Sequence, residues 1–452
     1  MKQVTFIVFG GTGDLTKRKL VPAFGQLVLE KTIETRSLLV GIGRSDYTDD
    51  TYRTMILESL TSQKEKECVE QMEIKYFRAD TSEENALTEL PEKLNLWEKG
   101  KESERIFYLA TTYQIFPSII QNIEQTKLHQ THNAKIVFEK PFGHNAQSSQ
   151  ELESQIHSVF DEANIYRIDH YLGKETVQNI NIFKFTNPLI DSILTNNFVR
   201  KIEVIADENL SVGNRLGYYD GAGATKDMIQ SHLLQVASII LMERPTHLDA
   251  TCIHDKKVEI LQNIVVQEPS KHLFGQYESY ETELKEFGLK PSQTETFSQV
   301  CLSCNTKRWD GVDIVLRSGK NLNQKIGQVI VHFKGVGSDF SHDLENIQEN
   351  RLVIDIHPQE DIKLFFNTKK RDHKSMLEHV EMNYCGTCHF GPNTTDGYKM
   401  LIKDVIHNEK TLFTRNDELA QSWRITDDIL SQRESIPFVV YKNGSKAEDI
   451  GK

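Results

Sequence analysis

The stretch that decides the fold is Val4-Thr5-Phe6-Ile7-Val8-Phe9-Gly10-Gly11-Thr12-Gly13-Asp14-Leu15-Thr16. A β-rich, mostly apolar run stops at paired glycines, which reads as a strand buried on both faces, as in a parallel sheet. A helical stretch follows, with Leu20, Phe24, Leu27 and Val28 on one side, and Pro22 suits its first turn. The alternation then repeats. Strands are expected at 37–42, 74–77, 105–109 and 134–139, with helical stretches at 52–60, 91–96 and 115–125 between them. Strands recurring with helices between them imply right-handed βαβ units and a doubly wound parallel sheet of Rossmann type.

Glycine at the first strand–helix turn lets a phosphate approach the backbone, and the helix N-terminus offers N–H groups to the anion. Read as G-x-G-x-x-G, the string places Gly11 and Gly13 correctly and puts Thr16 where the third glycine belongs. Alone it also suits a simple tight turn. Its position opening an alternating half makes Gly10, Gly11, Thr12, Gly13, Asp14 and Leu15 the candidate dinucleotide loop. The second strand runs out into Gly43-Arg44-Ser45. A guanidinium with a neighbouring hydroxyl suits a 2′-phosphate, so NADP is favoured over NAD, although Asp46 blurs the distinction.

The chain has 452 residues, which fits two domains. It carries 53 basic and 65 acidic residues, a net charge of −12. So acidic a chain is a poor non-specific nucleic-acid binder, and anionic ligands need a local basic cluster. No stretch approaches a membrane span, and six cysteines do not make a disulfide scaffold, so a cytoplasmic protein is expected. The rhythm changes after about Asn164. Long helices are expected at 171–185 and 228–242, then β-rich runs at 199–206, 296–305, 312–316, 328–334, 352–355 and 362–366. This predicts a dinucleotide-binding domain over 1–165 and, over 166–452, a substrate-binding and dimerisation α+β domain on a large, mostly antiparallel sheet. The polar tail from Asn443 reads as loose.

Two C-x-x-C pairs, Cys301/Cys304 and Cys385/Cys388, raise the question of zinc. The pairs lie far apart in sequence, and in a strand positions i and i+3 point to opposite faces. Scattered reduced thiols are therefore expected and no metal site. Cys385-Gly386-Thr387-Cys388-His389 also matches a haem-attachment string, which reads as coincidence.

Three further strings carry chemistry. Phe138-Glu139-Lys140-Pro141-Phe142-Gly143 ends the fifth strand, and a cis Lys140–Pro141 bond would fix Lys140 at the ligand-binding edge. Arg167-Ile168-Asp169-His170-Tyr171-Leu172-Gly173-Lys174-Glu175 leads into a helix. There His170 and Lys174 would share one face as a cationic pocket, and Gly173 would sit inside the helix. Tyr218–His232 places Asp227 and His232 near the start of an apolar helix, about 140° apart on an α-helical wheel.

Together with the glycine loop through Lys19, Arg308-Trp309-Asp310-Gly311-Val312, Arg317-Ser318-Gly319-Lys320 and the late helix 418–430, these strings resemble the glucose-6-phosphate dehydrogenase family over nearly the whole chain. The string R-I-D-H-Y-L-G-K-E is highly specific to that family. The resemblance implies NADP-linked oxidation of glucose 6-phosphate at C1, at the entry to the oxidative pentose phosphate pathway. His232 would be the general base and Asp169 its orienting carboxylate. His170, Tyr171 and Lys174 would grip the 6-phosphate. Lys140, Glu208, Asp227, Lys320 and Lys325 would hold the sugar, with Lys19 near both ligands. Thr12, Gly13 and Arg44 would contact the dinucleotide, and a homodimer or homotetramer is implied. The chain departs from the family at Ser231, usually asparagine, in Ala110-Thr111-Thr112-Tyr113, which lacks a common proline, and in shorter loops and C-terminus. Two alternatives stay open: a dehydrogenase of another sugar or sugar phosphate, and a non-catalytic dinucleotide-binding sensor.

Overall fold

The computed structural model describes residues 2–130, 133–337, 341–342, 344–386, 388 and 397–452. Its contacts divide the chain into two compact units, Met1–Gly173 with Thr394–Asn416, and Lys174–Asn393 with Asp417–Lys452. The division thus falls at 173/174 rather than the expected 165/166, and a later segment returns to the first unit.

In the first unit the parallel strands are β1 (Val4–Phe9), β2 (Leu38–Gly43), β3 (Glu73–Arg78), β4 (Glu104–Leu109), β5 (Lys135–Glu139) and β6 (Ile165–Ile168). They lie in the order β6-β5-β4-β1-β2-β3, the doubly wound arrangement of a Rossmann-type sheet. Phe413–Thr414 adds an antiparallel edge to β6, and helix Gly397–His407 contributes Leu401, Ile402, Val405 and Ile406 to the same core. Every residue of β1 is buried, which is why its apolar run is unbroken rather than alternating.

β6 escaped the sequence reading because Arg167 interrupts a short apolar run. The structure buries that guanidinium and pairs it with Glu153 and Glu162. The first helix also begins earlier than expected. Helical backbone starts at Asp14 and widens into a π turn over Thr16–Leu20 before Val21–Leu29. Pro22 thus follows that wide turn, where a missing N–H is tolerated, and does not open the helix.

The second unit is built on a ten-stranded sheet. Its strands are β7 (Val199–Asp207), β8 (Ile264–Val266), β9 (Leu273–Tyr277), β10 (Phe297–Cys304), β11 (Asp313–Gly319), β12 (Ile326–Phe333), β13 (Arg351–His357), β14 (Asp361–Lys369) and β15 (Leu377–Cys385). With Phe413–Thr414 counted as β16, the last is β17 (Phe438–Tyr441). The order is β15-β14-β13-β12-β7-β11-β10-β9-β17, with β8 beside β10. All pairings are antiparallel except β7 with β11 and β9 with β17. The tail is not loose: Ala447 and Ile450 are buried in a core with Tyr277, Tyr280, Phe297 and Tyr441. Its few apolar residues are spaced to face inward, which composition alone hides. No helix among the described residues is long and apolar enough to cross a membrane.

Candidate active site

In the first unit, β1 and β4 are neighbours at the point where the strand order reverses, the place where such sheets bind ligands. The glycine loop starts there. Gly10 adopts φ +83°, and Gly10 and Gly11 both donate to the carbonyl of Ile42 (3.1 and 2.8 Å). An ideal Cβ on Gly11 would fall 2.7 Å from the Gly41 Cα, and one on Gly10 would lie 2.5 Å from the Ala110 oxygen. Thr16, in the third-glycine position, spends its hydroxyl on the Gly10 carbonyl (2.9 Å). The loop is thus pressed against β2 and the chain leaving β4, and only glycine fits. That cradle suits a dinucleotide pyrophosphate at the N-terminus of the helix from Asp14.

Arg44 is exposed just past β2. Asp46 is engaged by Arg78 at 3.3 Å, and Arg78 lies across from Gly43 in the sheet register. Arg78 is not legible as a site residue from the chain alone, since register between strands cannot be read from one strand. Lys19 is exposed on the wide turn. At the end of β5 the Lys140–Pro141 bond is cis, as expected. Glu139, just before it, accepts the Tyr108 hydroxyl, and burial raises its carboxyl against the pull of Tyr108 and Tyr398.

Past β6, the buried Asp169 accepts the Tyr171 N–H at 2.9 Å and closes a turn with Leu172 (3.1 Å). This corrects the expectation of a helix from Tyr171. The Asp169 side chain competes for the backbone, so the chain turns and the helix spans Glu175–Thr186. His170 and Lys174 do not share a helical face, and Gly173 lies in the turn.

In the second unit His232 and Asp227, both buried, lie on Thr225–Leu233, which is π-helical. Its i→i+5 bonding brings residues five apart toward one face. The α-helical angle of about 140° therefore does not apply, and the wider winding brings Asp227 and His232 closer to one face. Arg215 reaches Asp227 at 3.4 Å. The helix start is held by Glu295, which the sequence reading did not single out. Ala224 donates to its carbonyl (2.8 Å) and Thr225 to its carboxylate (3.3 Å), while Arg433 pairs with it at 2.5 Å. Of the two glycines just before the helix, Gly223 meets the Glu295 carboxylate, whereas Gly221 stands in open space.

Lys320 is buried at the end of β11, donates to Glu208 at 2.6 Å and lies 5.6 Å from the Tyr219 ring centroid. Lys174 is pushed down to about 8 by burial and by the charge of Lys325, against Glu360 and Glu208. His357 is pushed down to about 4 by burial and by the same two lysines. Lys174, Lys325, Glu208 and Lys320 are thus brought together, with His357 as an unforeseen member. The His357 ring occupies the space where a Cβ on the opposing Gly327 would stand. Three lysines beside the carboxylates of Glu208 and Glu360 leave a local excess of positive charge suited to an anion.

Cys301 and Cys304 alternate across β10, partly exposed and buried respectively, as strand geometry requires. Cys385 and Cys388, expected as reduced thiols, form a disulfide, because the turn after β15 brings their Cα atoms to 5.2 Å. Thr387 and His389 of the haem-like string lie outside the described residues.

Comparison with known proteins agrees with this architecture. The family descriptions "Glucose-6-phosphate dehydrogenase, NAD binding domain" and "Glucose-6-phosphate dehydrogenase, C-terminal domain" match residues 7–179 and 181–449. The chain is 33% identical over 444 residues to glucose-6-phosphate 1-dehydrogenase of Bacillus subtilis, covering 94% of this chain and 91% of that protein. A solved structure of glucose-6-phosphate dehydrogenase in complex with its substrate glucose-6-phosphate aligns with a TM-score of 0.89 at 28% identity, over 99% of this chain and 96% of the other. The glucose-6-phosphate 1-dehydrogenase structure from Mycobacterium avium aligns at 0.86 with 27% identity, over 98% and 94%. Sequence, strand order and site architecture converge, and the chain belongs to the glucose-6-phosphate dehydrogenase family.

Proposed function

We propose that this chain oxidises glucose 6-phosphate at C1 to the 6-phosphogluconolactone with NADP, the entry step of the oxidative pentose phosphate pathway. The observation that carries the reading is the second unit's basic cluster. Lys174, Lys320 and Lys325 gather there, and burial, with the charge of Lys325, depresses Lys174 to about 8, an arrangement that an anionic phosphate would relieve.

In this reading His232 accepts the proton of the C1 hydroxyl, a task suited to an imidazole near neutral pH. Asp169 orients that imidazole and favours its charged form. His170, Tyr171 and Lys174 hold the phosphate, and Lys140, Glu208, Asp227, Lys320 and Lys325 fix the sugar, so that C1 is presented in one orientation. Gly10 to Leu15, with Lys19, hold the dinucleotide, and Arg44 selects its 2′-phosphate. NADP, when bound, supplies the hydride acceptor. A homodimer fits the exposed outer strands, where Met382 is 63% and Tyr384 40% exposed.

The test is absorbance of reduced nicotinamide with NADP or NAD and a panel of sugars and sugar phosphates. Rapid reduction with NADP and glucose 6-phosphate is expected. His232→Ala should lose turnover and keep NADP binding; near wild-type turnover would remove His232 as the base. Activity confined to another sugar would keep the mechanism and change the substrate.

A further inference from the structure

The helix that carries His232 has no cap of its own. Its cap position is Ala224, which has no side-chain acceptor, and Gly223 before it lies in the left-handed region at φ +68°. Glu295, two residues before β10, supplies the cap from outside. Its carbonyl takes the Ala224 N–H at 2.8 Å and its carboxylate the Thr225 N–H at 3.3 Å. A negative charge there also meets the positive end of the helix dipole. The Thr225 hydroxyl is fixed as well, 3.0 Å from that of Ser298 on β10. Glu295 is 1% exposed, and a carboxylate so deeply buried needs a counter-charge. Arg433 supplies it, donating at 2.5 Å to the carboxylate oxygen that Thr225 leaves free. Arg433 opens the short turn Arg433–Ser435, which follows the helix Asn416–Ser431. Its guanidinium also donates to the Gln293 carbonyl and lies 5.7 Å from the Phe274 ring centroid, while its side chain stays 38% exposed.

We propose that Arg433 is a positioning residue for the base: through Glu295 it holds the start of the His232 helix, and so sets where the imidazole stands against C1 of the sugar. The proposal rests on the reading of His232 as the base. Arg433 holds Glu295, Glu295 holds Ala224 and Thr225, and His232 follows in the same π-helical winding. That winding needs a fixed start. A backbone that slips from i→i+5 back to i→i+4 bonding rotates every later side chain about the axis. Without the guanidinium the Glu295 carboxylate is buried without a counter-charge and is drawn toward water, which loosens its hold on Thr225. A base displaced by a fraction of an ångström loses turnover, while the cofactor, bound by the glycine loop of the first unit, is held as before.

Steady-state kinetics on the full chain test it with Arg433→Ala, Arg433→Lys and Glu295→Gln. Arg433→Ala should lower kcat about tenfold and leave the KM for NADP unchanged. It should also raise the primary isotope effect with C1-deuterated glucose 6-phosphate, as the chemical step becomes rate-limiting. Arg433→Lys, which keeps the charge, should recover most of the rate. Millimolar guanidinium added to Arg433→Ala should do the same, because the place it fills is open to solvent; a merely weakened fold would not regain turnover from a small cation. Arg433→Ala combined with Glu295→Gln should be no slower than Glu295→Gln alone. An unchanged kcat, or a loss that guanidinium leaves in place and that multiplies with the Glu295→Gln loss, overturns the proposal. His232→Ala separates it from the reading of the base. If Arg433→Ala costs the same factor in a His232→Ala background as in the wild type, Arg433 acts by another route and only the positioning role falls. If His232→Ala turns over at near wild-type rate, the base assignment falls and the proposal with it.

Discussion

Glu295 and Gly223 interlock where the helix bearing His232 begins. The Glu295 carboxylate fills the volume that a Cβ on Gly223 would need, and Gly223 itself sits at φ +68°. The same carboxylate receives the Thr225 N–H. Gly223→Ala therefore meets a strained backbone and a buried carboxylate together. It should cost about 1–3 kcal/mol. A thermal melt should show a drop of several degrees, and turnover should fall more than sugar-phosphate KM rises. An unchanged melt would mean the helix start has other support.

Lys174 sets a pH dependence for anion binding. Burial and Lys325 hold its folded pKa at about 8, below the ordinary lysine value. It therefore loses its proton as pH rises through 8, and the site loses a cation. The KM for glucose 6-phosphate should rise between pH 7.5 and 9, while kcat changes less. Lys174→Arg, which stays charged throughout, should flatten that rise. A wild-type KM flat across this range would remove Lys174 from phosphate binding.

His357 bears on the same cluster from β13. Held at about 4 by burial and by the two lysines, it is neutral at pH 7. His357→Lys would add a further cation, half-buried, beside Lys174, Lys325 and Lys320. A stability loss of about 1–3 kcal/mol is expected. Added phosphate should recover much of it, which a melt with and without phosphate would show.

Glu418 governs acid stability in the second unit. It is fully buried. Burial alone would raise its carboxyl, but Lys257 at 2.8 Å and His254 at 2.5 Å overcome that and hold it at about 2. Its folded pKa lies below the unfolded value of about 4.3. The stabilisation is therefore present above pH 4.3 and is lost as pH falls through 4 toward 2. Glu418→Gln leaves Lys257 buried without its counter-charge and should cost about 3–5 kcal/mol at pH 7. Denaturant melts between pH 4.5 and 2 should also show a shallower loss of stability than the wild type.

Arg44 should decide the cofactor. Arg44→Ala is expected to raise the KM for NADP by about ten- to a hundredfold, one or two charge-assisted bonds' worth, with little change for NAD. Asp46→Ala, which frees Arg78 from its ion pair, should strengthen NADP binding slightly. Equal effects on both cofactors would mean that Arg44 does not read the 2′-phosphate.

The strands of the first unit were legible because β1, β2 and β4 are buried along most or all of their length and so read as continuous apolar runs. β6 was not, because its one charge is neutralised only by carboxylates from elsewhere in the chain. Local chemistry also made the glycine cradle and the Lys140–Pro141 turn readable, since both depend on residues adjacent in sequence. The helix type was not readable. Thr225–Leu233 has an ordinary helical composition, and its wide winding, which brings Asp227 and His232 closer to one face, accompanies packing beneath Glu295.

The doubly wound first unit, the antiparallel second sheet and the family are written in the chain's local patterns. These follow from periodicity and from motifs whose partners lie a few residues apart. The membership of His357 in the basic cluster, the support of the His232 helix by Glu295 and the disulfide turn resting on Glu360 arise only on folding. Each joins residues from separate strands or turns. Proximity of that kind is set by sheet register and packing, which no local pattern of side chains encodes.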